Sequence, residues 1–217
     1  MQWVSVLAAV MAGALACSCR FVPTADVQAL AARQSHEKAA FDPDKMVAAD
    51  WASKIVPYFE KRAGPFGEVR DLAAKSPEEA GARFGYRPKS GDVPWTLMVK
   101  LEGAIVEANT ESRAATIGVD TTGKGKADAN VQIGPALRGT AIRDALDFVS
   151  FNDFTNQIDF ARYGKAFSVY VDHEVLEKLP RDSLVGRKVT VLGAYPLSSS
   201  SETPLITPVE IALVPKP

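Results

Sequence analysis

The sequence predicts an α+β protein in which an N-terminal helical subdomain leads into a five-stranded β-barrel. Three observations carry this reading. Helix-start signals cluster between residues 42 and 85. From Pro94 the apolar pattern changes from three- and four-residue spacing to alternation. One helical stretch then separates the third strand from the fourth.

Ahead of these elements, residues 1–18 are apolar and Ala-rich, and Cys19 and Arg20 follow at once. A short apolar run ending in small residues is an export signal, and a cysteine directly after them is where a bacterial lipoprotein is cleaved and acylated. Cys17 and Cys19 both follow a small residue, and Cys19 is preferred because the polar chain begins there. No Lys or Arg precedes the run. A cleaved leader without a lipid, a buried N-terminal helix and a membrane span are the alternatives; for a span the run is marginal against the roughly 20 apolar residues a bilayer needs. Residues 20–41 read as a tether.

Asp42-Pro43 starts the first helix, with Asp as N-cap and Pro at the first helical position. Val47, Trp51, Ile55 and Phe59 form its apolar stripe, and Pro57 predicts a kink or break. Phe66, Val69, Leu72 and Ala73 mark a second helix. Ser76-Pro77-Glu78-Glu79 has the form of a capping box that opens a third, ending near Gly85. Residues 42–90 are thus a helical subdomain.

In the first strand, Leu97, Val99 and Leu101 alternate with Met98, Lys100 and Glu102, and Gly103 predicts a bend or bulge. Ala115, Ile117 and Val119 mark the second strand, and Ala129, Val131 and Ile133 the third. Tyr163, Phe167, Tyr170, Val171, Val175 and Leu179 share a helical face. Strands near 188–194 and 206–214 close the chain. Strand-strand-strand-helix-strand-strand is the order of an OB-fold, a five-stranded Greek-key barrel, here over residues 91–217. A generic α+β sheet with a crossing helix has the same order.

Composition narrows the partners. Lys and Arg number 25 against 26 Asp and Glu, so the net charge is −1. That argues against nucleic acid, which demands a basic face. The cysteines lie only at 17 and 19, so the mature chain has no internal disulfide. His36 and His173 lack ligand spacing, and no metal or other cofactor is expected. The sequence shows no H-E-x-x-H, no G-x-S-x-G and no phosphate-cradling glycine loop.

The densest polar stretch is 134–160, where Arg138, Thr140, Arg143, Asp144, Asn152, Asp153, Asn156 and Gln157 alternate with four phenylalanines. Arginine offers a planar fork and the amides add neutral donors and acceptors. Beside aromatic rings, that mixture suits a sugar or another polar metabolite. The structural alternative is that Thr140 caps a helix, Arg143 pairs with Asp144, and Asn152 and Asp153 make a turn. Residues 120–131 echo a calcium loop, with Asp120 first and Gly125 sixth. Thr122, Lys124 and Val131 stand where ligands belong, so the stretch reads as a Gly-rich turn.

Several runs resemble one family. They are Ser18-Cys19-Arg20-Phe21-Val22-Pro23, Phe41-Asp42-Pro43 with Trp51 and Pro57, Gln132 to Asp144, Phe151-Asn152-Asp153-Phe154-Thr155-Asn156-Gln157-Ile158, and Ile206-Thr207-Pro208-Val209-Glu210-Ile211. Together they look like the bacterial predicted periplasmic lipoproteins of domain family 2291, often encoded beside sugar ABC transporters. The resemblance implies export to the periplasm of a Gram-negative bacterium, lipid anchoring to its inner or outer membrane, and a β-barrel. It implies no activity and supplies no catalytic residues.

The expected function is a non-enzymatic, lipid-anchored accessory protein that binds a sugar-transporter component or a small polar ligand. A protein-interaction module of the envelope is the second reading, and an envelope glycan enzyme the third. Fatty-acid labelling tests the anchor: Cys19→Ala is expected to abolish incorporation. Loss of label in Cys17→Ala alone would move the site to Cys17.

Overall fold

The computed structural model describes residues 41–89, 93–198 and 203–214, together with Gln28. The leader, Cys17, Cys19, the tether to residue 40, His36 and Ser199 to Ser201 lie outside the described residues. Backbone contacts divide the chain into Met1–Phe41 and Asp42–Pro217, and everything below belongs to the second unit. No boundary separates its helices from its strands.

Helix α1 (Pro43–Asp50) starts as its sequence requires: the Asp42 carboxylate accepts the Lys45 N–H at 3.1 Å. A π turn over Trp51–Ile55 joins it to α2 (Val56–Arg62). The irregularity expected at Pro57 therefore falls one turn earlier. Proline has no N–H to give the preceding turn, and a widened turn absorbs the mismatch without ending the helix. Strand β1 (Gly64–Pro65) leads to α3 (Phe66–Lys75), and α4 (Pro77–Phe84) to β2 (Gly85–Tyr86).

The capping box expected at Ser76 does not form, since the Ser76 side chain makes no capping bond. Ser76 alone joins two helices, and its N–H is already used by the Leu72 carbonyl at 2.7 Å. The acid expected at the third helical position of that box is Glu79; its neighbour Glu78 bonds Arg87 at 2.8 Å and the Trp95 indole at 3.3 Å.

Five longer strands make the barrel: β3 (Thr96–Asn109), β4 (Thr116–Asp120), β5 (Ala129–Gln132), β6 (Lys188–Pro196) and β7 (Leu205–Leu213). The sheet runs β3-β4-β5-β7-β6 and closes through β3 against β6. Every barrel pairing is antiparallel except the short parallel contact of β5 with β7 at Asn130–Leu205 and Val131–Ile206. This closed order is the OB-fold. Between β5 and β6 lie α5 (Ala141–Asp144), α6 (Gln157–Tyr170) and a π turn over Val171–Leu176. The π turn packs on β7, and α1 packs on α6.

Strand β3 serves both halves of the barrel, pairing with β6 over residues 96–104 and with β4 over 104–109. Its register breaks between Ile105 and Glu107, not at Gly103. Gly103 has a different role: a Cβ there would press on the Asp120 carbonyl, so glycine lets two backbones meet. The expected alternation also fails at the start of β3, where Thr96, Leu97, Met98 and Val99 are all buried. The short strands β1 and β2 pair along this half of β3, and α3 and α4 pack on it.

Helices and barrel share one core. Phe66 of α3 meets buried Tyr195 of β6 at 6.5 Å, edge on, and Trp51 stacks on Tyr170 at 4.4 Å. Phe66→Ala is expected to cost about 3–5 kcal/mol, the range for deleting a buried aromatic ring. Chemical denaturation reads this as a fall in midpoint at unchanged slope. A change below about 0.5 kcal/mol, the surface range, would show that the helix does not depend on the ring.

Candidate functional site

The polar run after β5 is organised by Gln132, a residue the strand pattern assigned to the alternate face. Its side chain is buried. Its amide oxygen accepts the Arg138 N–H at 2.7 Å. Its amide nitrogen donates to the Arg138 carbonyl at 3.1 Å and the Thr207 hydroxyl at 2.8 Å. One amide thus ties the loop to β5 and β7. Its isolation among apolar neighbours, Val131 and Ile133, was the available sequence signal.

Gly139, at φ +78°, then turns the chain into Thr140. The Thr140 hydroxyl donates to Asp144 at 2.5 Å and accepts from Arg143 at 3.1 Å. Arg143 also donates to Asp144 through Nε at 2.8 Å and Nη2 at 2.6 Å. Its guanidinium lies 4.0 Å from the Phe160 ring centroid, and Nη1 reaches the Phe160 carbonyl at 3.4 Å. Gly164 makes room for it, since a Cβ there would meet Nη1. At 12% side-chain exposure, Arg143 is a brace between α5 and α6.

The expected residues separate into two groups. Arg138, Thr140 and Asp144 line one pocket of about 410 Å³, together with Ser198, Thr203 and Thr207. Its apolar lining includes Pro196 and Leu205. Asn152 and Asp153 instead form a 3-10 turn over Phe151–Asp153, where the Asp153 carboxylate accepts the Ser150 N–H at 2.8 Å. Asn156 caps α6, accepting the Asp159 N–H at 2.9 Å. Gln157 is exposed on the first turn of α6. None of these four lines the pocket of Arg138.

The turn after β4 is held by Asp120. Its carboxylate accepts N–H bonds from Thr122 (2.9 Å), Gly123 (2.8 Å) and Gly125 (2.6 Å), and the Thr122 hydroxyl at 3.1 Å. Both oxygens are committed to donors within the turn. Asp128 accepts the Thr121 N–H and hydroxyl and pairs with Arg70 of α3 at 2.7 Å. Among the described residues no cluster of three or more His, Cys, Asp and Glu side chains is placed to hold a metal ion.

A larger, open groove of about 1100 Å³ runs over the outer faces of β3, β6 and β7, with α3 as one wall. Its cations are engaged: Lys100 donates to the Glu60 carbonyl at 2.8 Å, and Arg70 pairs with Asp128. No helix among the described residues is long and apolar enough to cross a membrane.

A family model described as predicted periplasmic lipoprotein (DUF2291) matches residues 8–212, from inside the leader to the end of β7. The chain belongs to this family. As a predicted periplasmic lipoprotein it is held to a membrane by its lipid. The crystal structure of an OB-fold protein from Thermotoga maritima is similar in fold, with a TM-score of 0.63 at 20% identity. The similarity covers 80% of this chain and 99% of that one. No curated protein matches the chain.

The Asp120 turn has a pH signature. Burial pushes its carboxyl pKa up, but the hydrogen bonds from Gly125 and Thr122 outweigh this and hold it below the ordinary carboxylate range. A lowered folded pKa adds stability at neutral pH and loses it as pH falls through the carboxylate range into the folded value. Melting temperature is expected to fall on acidification, and less steeply in Asp120→Asn, which starts lower at neutral pH. Parallel acid profiles for the two proteins would remove this role from Asp120.

Proposed function

We propose that this periplasmic lipoprotein is a non-enzymatic accessory factor of a sugar-uptake system, and that it holds a small polar ligand of the sugar class. The observation that carries the reading is the pocket lined by Arg138, Thr140, Asp144, Ser198, Thr203 and Thr207. Four hydroxyls, one exposed guanidinium and one carboxylate surround a volume suited to a small ligand. Hydroxyls both donate and accept, as sugar hydroxyls do. Pro196 and Leu205 supply apolar surface for the C–H face of a ring. Asp144 is already bonded to Thr140 and Arg143, which suits holding a ligand better than proton transfer. The link to sugar uptake rests on the family resemblance.

A second reading, a protein-interaction module without a small-molecule ligand, draws on the open groove of about 1100 Å³ over β3, β6 and β7.

Calorimetric titration of the protein with a panel of mono- and disaccharides tests the first reading. A binding sugar is expected, with Arg138→Ala weakening it. A hydrogen bond to a charged group contributes about 1.5–3 kcal/mol, so the loss is roughly tenfold to a hundredfold in Kd. The Arg138 side chain is exposed, so stability is expected to stay within about 0.5 kcal/mol. Absence of heat across the panel, with co-purification of a transporter subunit, would favour the second reading.

A further inference from the structure

The charges lining the Arg138 pocket do not cancel. Among the described residues its one carboxylate is Asp144. Both Asp144 oxygens are engaged, one by Arg143 through Nε and Nη2 and the other by the Thr140 hydroxyl. The Asp144 charge is thus met by Arg143, which is not part of the lining. Arg138 is different. Gln132 holds its backbone through the N–H and the carbonyl, and its guanidinium has no partner among the described residues. One positive charge is left over.

The free hydrogen-bonding groups can donate as well. The Gln132 amide is fixed in orientation, because its oxygen accepts the Arg138 N–H. Its nitrogen then donates to the buried Thr207 hydroxyl at 2.8 Å. Thr207 is the acceptor there, so its own hydrogen remains for another group. Ser198 and Thr203 carry hydroxyls with no partner among the described residues. A second cavity, of about 360 Å³, shares Thr203 with the first and repeats the pattern. Its Asp128 is paired with Arg70 at 2.7 Å, while Lys124 and Lys126 line it with no ion pair among the described residues.

What complements such a site is a negatively charged acceptor. The guanidinium fork meets a carboxylate in two parallel hydrogen bonds. Its single charge also matches a carboxylate better than a phosphate monoester, which carries nearly two. We propose that the pocket binds an acidic sugar of the uronate class, with the sugar carboxylate on Arg138 and a further acceptor on the Thr207 hydroxyl. Lys124 and Lys126, in the cavity that shares Thr203, add attraction of the same sign at low ionic strength. The proposal rests on the sugar reading above and narrows it: a neutral sugar fills the same volume and leaves the guanidinium charge unmatched.

Calorimetric titration of the full chain with matched sugars carries the test. The pairs are glucose with glucuronate and galactose with galacturonate, which differ only at C6, and glucose 6-phosphate is the fifth probe. A uronate is expected to bind roughly tenfold or more tightly than its neutral partner, by a margin that shrinks as salt is raised. Arg138→Gln is expected to bring the uronate to the level of the neutral sugar at unchanged melting temperature, since the guanidinium holds nothing else in the fold. A neutral sugar that binds as tightly as its uronate overturns the proposal and leaves the sugar reading standing. Tighter binding of glucose 6-phosphate than of either uronate also overturns it, as does a uronate affinity that Arg138→Gln leaves unchanged. Absence of heat from all five probes overturns it too, and the wider saccharide panel then decides the sugar reading separately.

Discussion

Strand β3 must satisfy two neighbours along one edge-to-edge path, and the rest of the molecule depends on that double pairing. Its first half hydrogen-bonds β6 and its second half β4, with Ala104 at the changeover. A straight strand could not turn from one sheet to the other, so the register breaks after Ile105. The close approach at Gly103 lets the Asp120 carbonyl pass. With β3 shared, the order β3-β4-β5-β7-β6 closes into a barrel. The half of β3 that β4 does not cover would be an exposed edge. β1, β2 and the helices beside them occupy it, which is why the N-terminal helices and the barrel share a core.

Closure also governs the polar groups. A barrel of short strands needs tight connections, and their backbone N–H groups leave the ladder and need other partners. Asp120 takes three of them, Gln132 takes the Arg138 amide, and Asn156 and Asp153 take those that open α6 and the turn before it. Much of what looks like recognition chemistry in the primary structure is this local accounting. The pocket of Arg138 and the hydroxyls is what remains after it.

The charges follow the same rule. Arg143 braces two helices through Asp144 and the Phe160 ring, and Arg70 ties α3 to the β4–β5 turn through Asp128. Arg62 donates to the Gly85 carbonyl at 2.6 Å, joining α2 to β2. Each cation fastens a helix to something distant in sequence. In a chain with one formal net charge, such pairs stitch the layers together without building a strongly signed surface.

The element types were legible in the primary structure because they depend on periodicity and local chemistry. The Asp42-Pro43 start, a helical stretch from Tyr163 and five strands in their order are readable residue by residue, and so are the leader and its cysteines. The π turn over Val171–Leu176, which ends the helix before Leu179 and buries Leu176 in place of Val175, and the closing of the strands into a barrel are not. Burial on the second face of β3 was not legible, because Met98 is covered by elements whose docking no local pattern encodes. The unformed Ser76 box and the π turn before Pro57 show local signals yielding to neighbouring helices. The site divides in the same way. Sequence could nominate Arg138, Thr140, Arg143, Asp144, Asn152, Asp153, Asn156 and Gln157, since it shows which side chains can hydrogen-bond. Only the tertiary structure decided that Arg138, Thr140 and Asp144 share a pocket with Ser198, Thr203 and Thr207, while Arg143 braces two helices, Asp153 and Asn156 cap, Asn152 sits in a turn and Gln157 is exposed. Those hydroxyls come from just after β6, just before β7 and β7 itself, far along the chain, and a hydrogen-bonding group acquires its role from the partner that the fold brings within about 3 Å.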